Sequence, residues 1–196
     1  MKIIGITGPS GSGKSLLGEL AHSLGFPVID ADEVYHSMLI PPSECLDALR
    51  TSFGDDIFFP NGELCRKSLA NIVFSDPEKL KLLNNTVLEK VLIKIRKMIS
   101  DFENEGFSAV FVDAPTLIES GFNKECDVVI SVLASKETRI KRIIARDGIT
   151  LEKAEARINA QKNDDFYCEN SDHIINNDSS AESFFSEASI LLKGLI

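Results

Sequence analysis

Residues Gly8-Pro9-Ser10-Gly11-Ser12-Gly13-Lys14-Ser15 follow the spacing G-x-x-x-x-G-K-[ST]. That spacing belongs to a loop whose backbone N–H groups gather around a phosphate, the P-loop. Glycine adopts backbone conformations that other residues resist, so several N–H groups converge on one anion. A helix starting at the end of the loop adds its partial positive charge. The Lys14 ammonium has the length to reach β- and γ-phosphates, and the Ser15 hydroxyl suits Mg²⁺. The expected phosphate-binding set is Gly8, Gly11, Ser12, Gly13, Lys14, Ser15 and Leu16.

Carboxylates come next. Asp30-Ala31-Asp32 follows a short apolar run. Residues two apart in an extended or turning segment face the same way, so both carboxylates can enter one cleft. One would take the proton of an attacking hydroxyl, for which Asp32 is the candidate. The other, Asp30, would bind Mg²⁺ through water. The competing expectation is structural, with Asp32 capping a helix over Glu33 to Met38. Asp113 ends the run Val110-Phe111-Val112, the position of a metal-steadying aspartate in nucleotide-binding sheets. Arg139, Arg142 and Arg146, three and four apart, share one helix face. They would either close over transferring phosphates or form a solvated face paired with Glu137 and Asp147.

These residues need a scaffold. Apolar runs at 2–7, 27–30, 108–112, 127–133 and 173–176 alternate with helical patterns. That alternation implies a five-stranded parallel sheet covered on both faces, with ligands at the carboxyl ends of the strands. The stretch Tyr35 to Gly106 holds no convincing strand. It is expected to be helical, with helices from Ser43 to Arg50, from Arg66 to Phe74, and from a start at Asp76-Pro77-Glu78. In the last of these Val87, Val91, Ile95 and Ile99 step by four along one face. A second helical insertion is expected over 136–165, and a packing helix from Ala181 to Leu192. The expected organisation is one α/β domain over 1–196, with a helical subdomain at about 35–106 and a lid at about 136–165.

Composition narrows the partners. The chain has 196 residues and a net charge of −9, which argues against broad binding to nucleic acid or anionic membranes. Cys45, Cys65, Cys126 and Cys168 include no C-x-x-C pair, and His22, His36 and His173 are scattered, so zinc is not expected. Four reduced, mostly buried thiols are expected, and no secretory leader or membrane-length apolar run is visible. The expectation is a cytoplasmic protein.

Taken in order, the pieces resemble one family along essentially the whole chain. They are Thr7 to Ser15, Val28-Ile29-Asp30-Ala31-Asp32, Asp113-Ala114-Pro115-Thr116-Leu117-Ile118-Glu119, Arg139 to Gly148 running on to Arg157 and Gln161, and Ser171-Asp172-His173-Ile174-Ile175-Asn176-Asn177. Asn61-Gly62-Glu63-Leu64-Cys65-Arg66, followed by Val73-Phe74, adds to them. This series resembles the dephospho-coenzyme A kinases. The resemblance implies a P-loop kinase that moves the γ-phosphate of ATP, with Mg²⁺, onto the ribose 3′-hydroxyl of dephospho-CoA. It implies Asp32 as base, Lys14 and Ser15 as phosphate and metal contacts, Arg142 and Arg146 as lid, and Asn176 near the adenine. Three positions depart from the family pattern. Leu88-Glu89 stands where His-Pro is usual, Thr116 replaces a leucine, and Leu16 replaces a hydroxyl residue.

Two other readings stay open at this level. A kinase of the same fold with another nucleoside or nucleotide acceptor shares every phosphoryl-transfer feature. A nucleotide-binding switch is disfavoured because Asn123-Lys124-Glu125-Cys126 is not the guanine-reading N-K-x-D. Oligomeric state is expected to be monomer or weak homo-oligomer.

Overall fold

The computed structural model describes residues 1–73 and 76–196. Phe74, where the expected second helix ends, lies outside the described residues. The chain divides into two compact units, one of residues 1–29 and 101–196 and one of residues 30–100.

The first unit is built on a five-stranded parallel sheet in the order β2-β3-β1-β4-β5. The strands are β1 (Lys2–Thr7), β2 (Val28–Asp30), β3 (Ala109–Asp113), β4 (Val128–Leu133) and β5 (His173–Asn176). β1 sits at the centre, with Ile6 in register with Asp113 on one side and Ile130 on the other. Each strand falls within a residue or so of its expected position, because continuous apolar runs are what a sheet buried on both faces demands. The first helix, α1 (Lys14–Ser23), and the last, α9 (Ala181–Leu195), cover one face. There Leu17, Ala21, Phe184, Ala188 and Leu192 pack on Ile4, Ile6, Phe111, Ile130 and Val132. On the opposite face a side chain at Gly5 would collide with Leu117 and come within 3.0 Å of Cys126 Sγ, so the strand there is kept bare for a close-packed connection.

The expected single insertion over 136–165 is three helices: α6 (Lys136–Asp147), α7 (Leu151–Asn159) and α8 (Asp164–Glu169). Gly148, at φ 63°, ends α6 in the left-handed conformation. Thr150 then caps α7 and Asn163 caps α8, each through a side-chain oxygen on a backbone N–H. Ile143, Ala154 and Ile158 hold α6 and α7 together.

The second unit is helical, as the sequence implies. It contains α2 (Ala31–Ser37), α3 (Glu44–Phe53), α4 (Arg66–Val73) and all but the end of α5 (Pro77–Asn104). Cys45, Leu46, Leu49, Ile57, Leu69 and Val73 form its core. Ser43 caps α3, accepting from the N–H groups of Cys45 and Leu46. Along α5, Val91, Ile95 and Ile99 are buried in the expected step of four.

The four cysteines are free thiols, but only Cys45 is buried; Cys65 and Cys126 are half-buried and Cys168 is exposed.

Candidate active site

The loop expected to cradle phosphate joins β1 to α1 at the carboxyl end of the central strand. Two of its glycines are there for want of a side chain. Gly8, at φ 139°, has no room for a Cβ against the carbonyl of Val132. Gly13, at φ 98°, has none against the side-chain amide of Asn177. Both conformations are costly for any residue with a Cβ. Gly13 is also the N-cap of α1 and carries no capping side chain, and the first turn holds no acidic residue. The opening N–H groups of α1, that of Ser15 among them, are thus placed as a helix N-terminus suited to an anion, whereas the Leu16 N–H donates to the Gly13 carbonyl at 3.1 Å. Ser12 Oγ is buried and makes no hydrogen bond among the described residues, which marks a polar atom held for a further partner.

Lys14 lies folded over this cradle. Its ammonium donates to the carbonyls of Gly8 at 2.8 Å and Pro9 at 3.3 Å. These are neutral acceptors, and an anionic phosphate in the loop is a stronger partner for the same group. Asp113 ends β3 beside Ile6, one residue short of the loop's entry, and the Ala114 N–H donates to the Ile6 carbonyl at 3.0 Å. Ser15 is the second residue of α1.

The arginine stripe on α6 behaves in three different ways. Arg139 is only 5% exposed; its Nε donates to the Ser10 carbonyl at 3.0 Å and its Nη2 to Gln161 Oε1 at 2.8 Å. Arg142 is half-buried against the back of the loop. It donates to the carbonyls of Gly11 at 3.4 Å and Ser12 at 3.2 Å, and to the Asn177 carbonyl at 2.9 Å. Arg146 is exposed and donates to Asp147 at 2.7 and 3.1 Å. Arg157 donates to the same carboxylate, and the two guanidinium groups hold the Asp147 carboxyl at a pKa of about 2. The pairing expected with Asp147 is present at the Arg146 end of the stripe. The Arg139 and Arg142 end meets the loop. A rise of about 1.5 Å per residue puts roughly 10 Å between the two ends.

Position 177 matters more to the loop than its neighbour. Asn176 ends β5 and is exposed. Asn177 is 1% exposed; its Nδ2 donates to the Ser12 carbonyl at 2.8 Å, and its Oδ1 accepts from Arg142 at 3.3 Å. Asp178 follows and anchors the start of α6, accepting from the Ser135 N–H at 2.9 Å and its hydroxyl at 2.7 Å. Those bonds, with others to Thr138, hold the Asp178 carboxyl below the usual range. Sequence reasoning quoted Asn177 and Gln161 within motifs but gave neither a site role, and it missed the loop contact of Arg139. Asn177 stood in the motif already singled out, and burial alone tells it from Asn176.

Asp30 and Asp32 open the helical unit. The cap is Asp30, not Asp32: Asp30 Oδ1 accepts from the N–H groups of Asp32 at 2.8 Å and Glu33 at 3.0 Å. The helix starts two residues earlier than expected, at Ala31 rather than Glu33. Asp32 is thereby released from capping, and its side chain stands exposed in the first turn of α2.

Residues 2–183 match the dephospho-CoA kinase family. A dephospho-CoA kinase of Symbiobacterium thermophilum is 38% identical over 90% of this chain and 74% of its own length. One of Corynebacterium glutamicum is 32% identical over 98% of this chain and 96% of its own. The solved structure of the dephospho-CoA kinase from Campylobacter jejuni superposes with a TM-score of 0.73 at 31% identity, covering 100% of this chain and 98% of that one. With a nucleotide loop of the expected geometry and a family match along nearly its whole length, the chain belongs to the dephospho-CoA kinase family.

Proposed function

We propose that this protein transfers the γ-phosphate of ATP to the ribose 3′-hydroxyl of dephospho-CoA, the last step of coenzyme A synthesis. The observation that carries this reading is the match of residues 2–183 to the family, with every element of the nucleotide loop intact. Lys14 exchanges its carbonyl partners for the β- and γ-phosphates, while the loop N–H groups and the start of α1 receive the phosphate oxygens. Asp32 accepts the proton of the 3′-hydroxyl. The freed oxygen bonds to the γ-phosphorus, the bond from that phosphorus to the bridging oxygen breaks, and ADP leaves with the electron pair. Arg146, with Arg142 behind the loop, offsets charge on the transferring group. Asn176 lies near the adenine in this reading.

Ser15 and Asp113 offer a hydroxyl and a carboxylate, the hard oxygen donors that Mg²⁺ takes. Asp30 is a further candidate in this reading, and its Oδ1 is engaged in the cap of α2. Bound there, Mg²⁺ would supply charge neutralisation between the phosphates.

The helical unit supports the acceptor side. It holds a largely apolar cavity of about 260 Å³ lined by Tyr35, Leu39, Leu83 and Val87, with Arg66 and Asn84 as polar groups. Such a lining fits the long, weakly polar pantetheine arm. Lys124-Glu125-Cys126 remains incompatible with a guanine-reading motif, so a GTP switch is not favoured. The acidic chain, which has no helix among the described residues long and apolar enough to cross a membrane, is proposed to work in the cytoplasm as a monomer or weak homo-oligomer, without nucleic acid.

The test is ADP release from Mg·ATP with and without dephospho-CoA, with the product weighed by mass spectrometry. Acceptor-dependent release and one added phosphate are expected. Transfer only to another nucleoside or nucleotide would replace the substrate.

A further inference from the structure

The rim of the nucleotide loop is held by side chains distant in sequence. The Ser10 N–H donates to Gln161 Oε1 at 3.1 Å, and the Ser10 carbonyl accepts from Arg139 Nε at 3.0 Å. The same Gln161 oxygen accepts from Arg139 Nη2 at 2.8 Å, closing a ring of three hydrogen bonds around the backbone N–H and C=O of one residue. Behind that ring, a Cβ at Gly11 would lie 2.8 Å from the Arg139 carbonyl, so α6 is pressed onto the loop.

Ser10 lies in the turn between β1 and α1 and has no partner strand. A loop that presents N–H groups inward needs its outward-facing groups fixed, or the donors do not converge at the moment of binding. Gln161 lies between α7 and α8, and α7 packs on α6 through Ala154, Ile158 and Ile143. The segment after α7 is therefore tied to the loop through one amide oxygen, beside the contacts that Arg139 and Arg142 make from α6. Arg139 adds a buried positive charge beside the rim, with the Asp164 carboxylate at 3.9 Å.

We infer that Gln161, acting with Arg139 on the Ser10 backbone N–H and C=O, is a positioning residue that fixes the phosphate loop in its nucleotide-binding shape. The inference rests on the reading of this loop as the ATP site. It assigns Gln161 no contact with the reacting atoms.

The test uses two substitutions. Gln161→Met keeps the bulk and removes the acceptor; Gln161→Glu keeps an acceptor facing both donors. ATP binding is measured by calorimetry, and KM and kcat are measured for both substrates. Gln161→Met is expected to weaken ATP binding and raise the KM for ATP about tenfold, the loss of one to two hydrogen bonds. Its kcat should fall less than threefold, and the KM for dephospho-CoA should not move. Gln161→Glu should recover most of the affinity. Wild-type ATP affinity in Gln161→Met overturns the inference, and so does a loss that Gln161→Glu does not recover. The binding measurement needs no acceptor. A wild-type protein that binds ATP yet does not phosphorylate dephospho-CoA would therefore remove the proposed substrate and leave this inference to be decided by calorimetry. A wild-type protein that binds no ATP would overturn both.

Discussion

Asn177 donates its side-chain N–H to the carbonyl oxygen of Ser12 over 2.8 Å, joining two residues 165 positions apart. Asn177→Ala removes that donor and an acceptor for Arg142 at once. Leaving buried polar groups short of partners costs about 1–3 kcal/mol. We expect the melting temperature to fall by roughly 2–12 °C, and ATP affinity to fall with it. Thermal melting by circular dichroism, paired with calorimetry, reads both. An unchanged melt would make the link incidental.

Lys14→Ala should lose both nucleotide affinity and turnover, because its ammonium is the cation placed across the loop. Asp32→Asn should behave differently. With Asp30 doing the capping, the substitution leaves the helix start intact, so kcat should drop by about 10²- to 10⁴-fold with ATP binding nearly kept. Full activity in Asp32→Asn would take Asp32 out of the proposed mechanism.

Asp147 is a resting partner for Arg146. Its carboxyl is held at about 2 by Arg146 and Arg157, well below the ordinary carboxylate value. A depressed carboxylate stays ionised at all higher pH and loses its pairing only as pH falls through that low value. Activity between pH 5 and 9 should therefore show no step that Asp147→Asn removes. The substitution should instead free Arg146 and lower the KM for ATP by about two- to fivefold, the range of an exposed pair. Steady-state kinetics across pH checks both points, and a raised KM would mean that the pair orients Arg146 and does not compete for it.

The thiols should react in an order set by their surroundings. Burial, reinforced by Glu125, Asp127 and Asp172, pushes Cys126 up to about 12. Burial likewise raises Cys45, while a hydrogen bond from Ser68 lowers Cys65. At pH 8 an alkylating reagent followed by peptide mass spectrometry should find Cys168 and Cys65 modified first and Cys126 last, since only the thiolate attacks. Early modification of Cys126 would contradict the packing of the connection over Gly5.

Strands, loop and helical insertion were legible because each carries a local signature: apolar runs, glycine spacing, a capping residue before proline. What escaped depended on tertiary approach. Spacing puts Arg139, Arg142 and Arg146 on one face, but only the distance of each from the loop separates their partners. Asn176 and Asn177 have the same side chain, and the turn after β5 decides which is buried. Asp30 and Asp32 are both good caps, and a shift of two residues in the helix start moved the cap from Asp32 to Asp30. The break at Gly148 and the caps at Thr150 and Asn163 were visible in the sequence but weaker than the helical pattern around them.

The central place of β1 also bears on synthesis. This strand leaves the ribosome first, yet Lys2 pairs with Ala109 and Thr7 with Ser131. The helical unit, residues 30–100, is translated in between and has its own core. The apolar stretch Ile3 to Ile6 therefore waits unpaired until its partners from Ala109 onward are translated. Parallel pairing across such separations is slow, because loop closure comes before any contact that rewards it. The nascent chain should thus acquire its insertion first and its nucleotide loop last.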